Sequence, residues 1–171
     1  MKRTRNIYLD RFEKFISDIY FKDVNLKGKI YPEQWPVEKV SFYTVPDAKA
    51  RPLFDKVVHN EFTAFASAEE RKSKSFGPSW STHWFKLEIT VPKHALSNQQ
   101  LQVQGKELHL LWNSDTEAMI YATDGTPLQG LTGGSGNDVR QEFIITRDAK
   151  PGQVYQYYVE MVRLLANFFL I

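Results

Sequence analysis

Apolar and polar positions alternate most regularly from Thr82 to Val91. Phe85, Leu87, Ile89 and Val91 fall on one face; Trp84, Lys86, Glu88 and Thr90 fall on the other. A period of two over ten residues predicts a half-buried antiparallel strand, which Pro92 stops. Shorter runs of strand character lie at Val37–Val45, Glu61–Ala66, Leu108–Trp112, Val139–Thr146 and Gln153–Met161. Ala118–Thr123 and Thr126–Gly130 flank Asp124-Gly125, a tight-turn signal because glycine tolerates positive φ. Gly133-Gly134-Ser135-Gly136 and Pro151-Gly152 supply further turns, and Pro52–Val58 one helical turn. The mixed charges of Glu69–Lys74 predict a solvated loop, and Lys93–Gly105 a polar surface connection.

A different period governs the start of the chain. Ile7, Phe12, Phe15, Ile16 and Ile19 recur at helical spacing between residues 5 and 20. This is an amphipathic arm, packed on its own domain or docked on another. Gly28, Pro32 and Pro36 then mark an irregular linker. The predicted organisation is a helical arm and linker over 1–36, a β-domain over 37–161 and an apolar tail over 162–171. Seven or eight short strands without alternating helices predict a mainly β fold, an antiparallel β-sandwich of jelly-roll kind.

Composition narrows the function classes. The formal charge of +2 gives no nucleic-acid signal. No apolar run reaches membrane-spanning length, and no apolar segment follows the basic start as a secretory signal requires. A cytoplasmic location is expected, with receptor-mediated delivery to a vacuole as the alternative. The absence of cysteine excludes thiolate metal sites.

The chemistry-bearing residues form no recognisable site. His59, His83, His94 and His109 lack a short ligand spacing, although His83 and His109 could meet across a sheet. Asp115 and Glu117 share a face if that segment is extended, but Asp124 belongs to its turn and Asp115 reads as a loop cap. Ser79, Ser81 and Ser135 lack a nucleophile-elbow context. The glycines at 133–136 are not followed by the Gly-Lys-Ser/Thr of a phosphate loop. Trp35, Trp80, Trp84 and Trp112 suit packing or sugar stacking.

Two ordered blocks are more specific. One runs Phe76-Gly77-Pro78-Ser79-Trp80-Ser81-Thr82-His83-Trp84-Phe85. The other runs from Trp112 through Glu117, Asp124, Gly125, Gln129 and Gly130 to Gly134. Over about Tyr20–Met161 the chain resembles the N-terminal domain of the cytosolic and vacuolar α-mannosidases, family 38 of the glycoside hydrolases. The resemblance implies a galactose-binding-like β-sandwich preceding a catalytic domain, and the signature residues are expected to serve packing or interdomain contact. It also implies a parent that is a retaining, metal-dependent α-mannosidase of free-oligosaccharide catabolism. The metal, usually zinc, and the nucleophile belong to that catalytic domain, so no catalytic residue or cofactor is expected in this chain. The implied partner is the parent's catalytic domain or its subunits, with weak carbohydrate binding as the alternative role. After Met161 the sequence Val162-Arg163-Leu164-Leu165-Ala166-Asn167-Phe168-Phe169-Leu170-Ile171 departs from the family pattern. The expectation is a truncated product that self-associates through this tail and uncovered domain surface.

Overall fold

The computed structural model describes residues 2–17, 29–31, 33–94, 102–134 and 139–163. It contains an N-terminal unit built around residues 1–36 and a sandwich unit that begins at Val37. In the first, α1 runs Lys2–Ile16, with Lys14 paired to Asp10 one turn back at 2.9 Å. Ile19, Tyr20, Gly28 and Pro32 lie outside the described residues, as do residues 164–171 of the tail.

Among the described residues the sandwich contains eight strands: β1 Lys39–Thr44, β2 Thr63–Ala64, β3 Thr82–Thr90, β4 Leu108–Leu111, β5 Glu117–Tyr121, β6 Pro127–Thr132, β7 Glu142–Thr146 and β8 Val154–Val162. Two short helices, α2 Phe54–Val57 and α3 Ala68–Ser73, lie between β1 and β3. Six strands form one sheet in the order β2-β1-β3-β8-β5-β6; β4 and β7 form a second. Every pairing is antiparallel.

The alternation in β3 places its residues as expected. Phe85, Leu87 and Ile89 are buried, with Val91 just beyond the strand, while Lys86 and Thr90 are exposed. Phe85, Leu87 and Ile89 join Val40, Leu110, Trp112, Ile120, Leu131, Val159 and Met161 in the main core, against which Phe143 and Ile145 of β7 also pack. Phe85 sits edge-on to both Phe76 and Trp112, with ring centroids 5.2 Å and 5.0 Å away.

Trp84 does not share the exposure of Lys86. It is buried in a second cluster with Val45, Val57 and Tyr158, packed against Phe54, Phe62 and Tyr121. Residues of α2 and the segment after it therefore cover this end of the sheet's other face. The Trp84 Nε1–H has no hydrogen-bond acceptor there.

The predicted loop at Glu69–Lys74 is largely helical. Ser67 Oγ accepts from the Glu70 backbone N–H at 3.1 Å, and the Glu70 carboxylate accepts from the Ala66 N–H at 2.6 Å. This Ser-x-x-Glu pattern caps α3 at its N-terminus. The prediction of solvation holds, since α3 buries no side chain.

Gly125 has φ +87°, as the Asp124-Gly125 signal predicts. Its N–H donates to Ala122 O at 3.1 Å, closing the turn between β5 and β6. An added Cβ would also lie 2.6 Å from the Phe54 ring. Gly125→Val is therefore expected to cost about 1–3 kcal/mol through backbone strain and overpacking. Urea denaturation checks this; an unchanged midpoint would contradict the turn assignment.

Candidate functional site

The two signature blocks meet at one end of the sandwich. There β1 ends, β3 and β5 begin, and β8 leaves the sheet: Thr44 lies opposite His83, Thr82 opposite Val162, and Ala118 opposite Met161. Three loops crowd this end, residues 45–53, 75–81 and 112–116, with Gly133 donating to Thr116 O at 2.9 Å. The β8 strand continues through Val162, one residue past the expected boundary. Arg163 is buried, and its N–H donates to Ser81 O at 3.0 Å.

At the centre of this end is a buried polar group. His83 is fully buried beneath Phe76, ring centroids 5.0 Å apart. Its Nε2 lies 2.7 Å from Ser81 Oγ and its Nδ1 lies 3.1 Å from Thr44 Oγ1. Ser81 Oγ donates to Pro78 O at 2.6 Å. A carbonyl only accepts, so this bond uses the serine proton and Nε2 must carry the ring hydrogen. Thr44 then donates to Nδ1, and a neutral imidazole satisfies every contact. Burial, and secondarily the Arg163 charge, push the His83 pKa down to about 4. Gly77 permits this approach: a Cβ there would lie 2.7 Å from Ser81 Oγ and 3.3 Å from the His83 ring. Arg163 Nη1 donates to Gly77 O and reaches Ser75 Oγ at 3.3 Å.

This polarity is the reverse of a serine nucleophile's. An activated serine donates its proton toward the histidine, whereas Ser81 donates to the backbone. The buried Ser81–His83–Thr44 chain locks a loop onto two strands. Sequence spacing flagged neither Thr44 nor Arg163, because 39 residues separate Thr44 from His83 and 86 separate Arg163 from Gly77.

The other candidates are also committed to local structure. His83 lies in the six-stranded sheet and His109 in the two-stranded one, where its Nε2 meets Glu107 at 2.7 Å. Among the described residues no group of His, Asp and Glu could hold a metal ion. Asp115 and Glu117 do not form an extended pair. Asn113 Oδ1 accepts from the Asp115 N–H at 2.9 Å, and Asp115 takes φ +56° before Glu117 opens β5. Asp124 Oδ1 accepts from the Thr126 N–H at 2.9 Å, and this bond holds its carboxyl below the ordinary range. Gln129 Nε2 donates to Glu142 O at 2.6 Å, linking β6 to β7. Gly130 faces Met119 with room for a Cβ, so nothing in its surroundings requires glycine. The Trp112 indole donates to Ser114 Oγ at 3.1 Å inside the core. Trp35 is half-buried in the N-terminal unit. Of the four tryptophans only Trp80 is exposed, at 63%. Pro78 and Ser79 lie in the same loop; Ser135 and Gly136 fall outside the described residues.

Comparison with known proteins agrees with this architecture. Residues 33–163 match the family described as the α-mannosidase jelly-roll domain. The chain is 29% identical over 161 residues to α-mannosidase G of Dictyostelium discoideum, covering 94% of this chain and 13% of that protein. It is 36% identical over 124 residues to human α-mannosidase 2C1, covering 72% of this chain and 10% of the relative. An α-mannosidase of Saccharomyces cerevisiae is 28% identical over 178 residues, covering 93% of this chain and 15% of the relative. The chain thus spans well under a fifth of the length of the relatives it matches. No helix among the described residues is long and apolar enough to cross a membrane. The family match covers the whole sandwich through Arg163, and on that ground the chain belongs to the α-mannosidase jelly-roll domain family.

Proposed function

We propose that the chain serves as the non-catalytic N-terminal domain of an α-mannosidase, a scaffold for a catalytic portion that lies elsewhere in the parent. The observation that carries this reading is the match over residues 33–163 to a domain that makes up only a small part of the relatives. The local geometry supports it, since the signature polar residues Ser81, His83, Asp124 and Gln129 are engaged in loop and inter-sheet contacts. The parent's reaction is hydrolysis of α-mannosides in free-oligosaccharide catabolism. Its metal and nucleophile belong to the catalytic portion, and its setting is cytoplasmic, with a vacuole as the alternative. The domain's partners are that portion and its subunits.

The purified full chain is expected to show no turnover of p-nitrophenyl α-mannoside above a buffer blank, with or without added zinc. Turnover in a preparation free of host mannosidase would overturn the reading. The exposed Trp80 indole is the observation that favours the second reading, a carbohydrate-binding module. A glycan array separates the two: binding that disappears in Trp80→Gly selects the module.

A further inference from the structure

We infer that the end of the sandwich bearing Trp80 is the surface on which the catalytic portion of the parent α-mannosidase docks, with the Trp80 indole as its anchor. This rests on the scaffold reading above and assigns it a place.

Trp80 and Asp115 are the only non-glycine residues with positive φ among those described, at +69° and +56°. Both stand at this end. The left-handed region is unfavourable for a residue with a Cβ and persists only where surrounding bonds impose it. At Asp115 the loop's own hydrogen bonds account for it, since Asn113 Oδ1 accepts from both the Asp115 and Gly134 N–H groups. Trp80 is held from two sides: its N–H donates to Arg163 O, and its carbonyl accepts from the Arg51 guanidinium. Yet the indole so positioned is 63% exposed. A single exposed tryptophan needs no explanation. This one is strained, pinned at both backbone ends, and left largely exposed. Leu53, two residues beyond Arg51, is 75% exposed.

The occupant follows from where the family match ends: its last residue, Arg163, accepts through its carbonyl from the Trp80 N–H. In relatives of which this domain is 10–15%, most of the protein lies outside it. A domain tethered at that point meets this end at high effective concentration. A large aromatic ring is also the side-chain type that most often anchors such contacts.

Trp80→Gly provides a test with opposite expected signs. In the full chain alone, glycine accepts positive φ without strain, so the thermal unfolding midpoint holds or rises. In a chimera, the full chain replaces the matching segment of the Dictyostelium α-mannosidase G. There the same substitution removes the anchor, and the temperature of half-inactivation of α-mannoside hydrolysis falls by about 5 °C. Val154→Thr, at the opposite end of β8 and 49% exposed, leaves the chimera unchanged. If Trp80→Gly leaves the chimera unchanged or stabilises it, the docking surface is elsewhere and the scaffold reading stands. A chimera that does not fold into an active enzyme, where the unmodified Dictyostelium protein does, defeats the scaffold reading and this inference with it.

Discussion

Phe85→Ala is expected to remove about 3–5 kcal/mol of stability, through lost transfer energy and the cavity left behind. Phe85 is fully buried at the centre of β3, paired to Phe42 on one side and Val159 on the other. Its ring closes the contact between Phe76 and Trp112. The surrounding rings are held by their own strands and loops, so collapse into the void is limited. A loss of this size is a large share of the ~5–15 kcal/mol that holds an ordinary domain folded. Leu87→Ala, two residues on and equally buried, is expected to cost about 2–5 kcal/mol. Lys86→Ala is expected to cost under about 0.5 kcal/mol; its ammonium lies 6.0 Å from the Tyr158 ring centroid at an exposed position. Urea midpoints of the three variants measure the contrast. Equal losses at 86 and 87 would contradict the phase of β3.

What was legible in the sequence was what local chemistry decides. The alternation at Phe85, Leu87, Ile89 and Val91 set the buried face because a one-residue slip would turn all four outward. Asp124-Gly125 revealed its turn because few residues accept that backbone. The capped helix at Ala68–Ser73 was legible too, through Ser67 and Glu70, but the dense charges beside them read as a loop. Other features were set by distant chain. Trp84 is covered by Phe54, thirty residues away, so its own alternation gave no sign of burial. Asp115 and Glu117 share a face only in an extended segment, and Asn113 bends it. Val162 and Arg163 read as the start of a foreign tail, yet Val162 pairs with Thr82 and the Arg163 guanidinium reaches Gly77. Loop and strand ends of this kind take their partners from long-range contacts that carry no periodic signal.

The buried histidine gives the second large effect, a loss of stability in mild acid. Unfolded, His83 takes up a proton near its ordinary pKa of about 6.5. Folded, it resists until about pH 4, because burial and the Arg163 charge disfavour the imidazolium. Between those values the unfolded chain binds more protons at this site than the folded one, so lowering the pH favours unfolding. The contribution of His83 is fully present above about pH 6.5 and is lost as pH falls to about 4. At 1.36 kcal/mol per pH unit the whole loss is about 3 kcal/mol, and about 2 kcal/mol of it falls between pH 7.5 and pH 5. The geometry explains why relaxation offers little relief. A second ring proton on Nδ1 would face Thr44 Oγ1, whose hydroxyl would have to turn away, while Ser81 stays committed to Pro78 O. His83→Gln removes the titrating group, so the variant is expected to be less stable than the parent at pH 7.5 but to lose about 2 kcal/mol less on going to pH 5. Subtracting the two pH profiles, from urea denaturation at matched ionic strength, cancels the carboxylates and the other three histidines common to both proteins. Parallel profiles would show that His83 titrates alike in the folded and unfolded chain, and the buried neutral Ser81–His83–Thr44 chain would then be wrong.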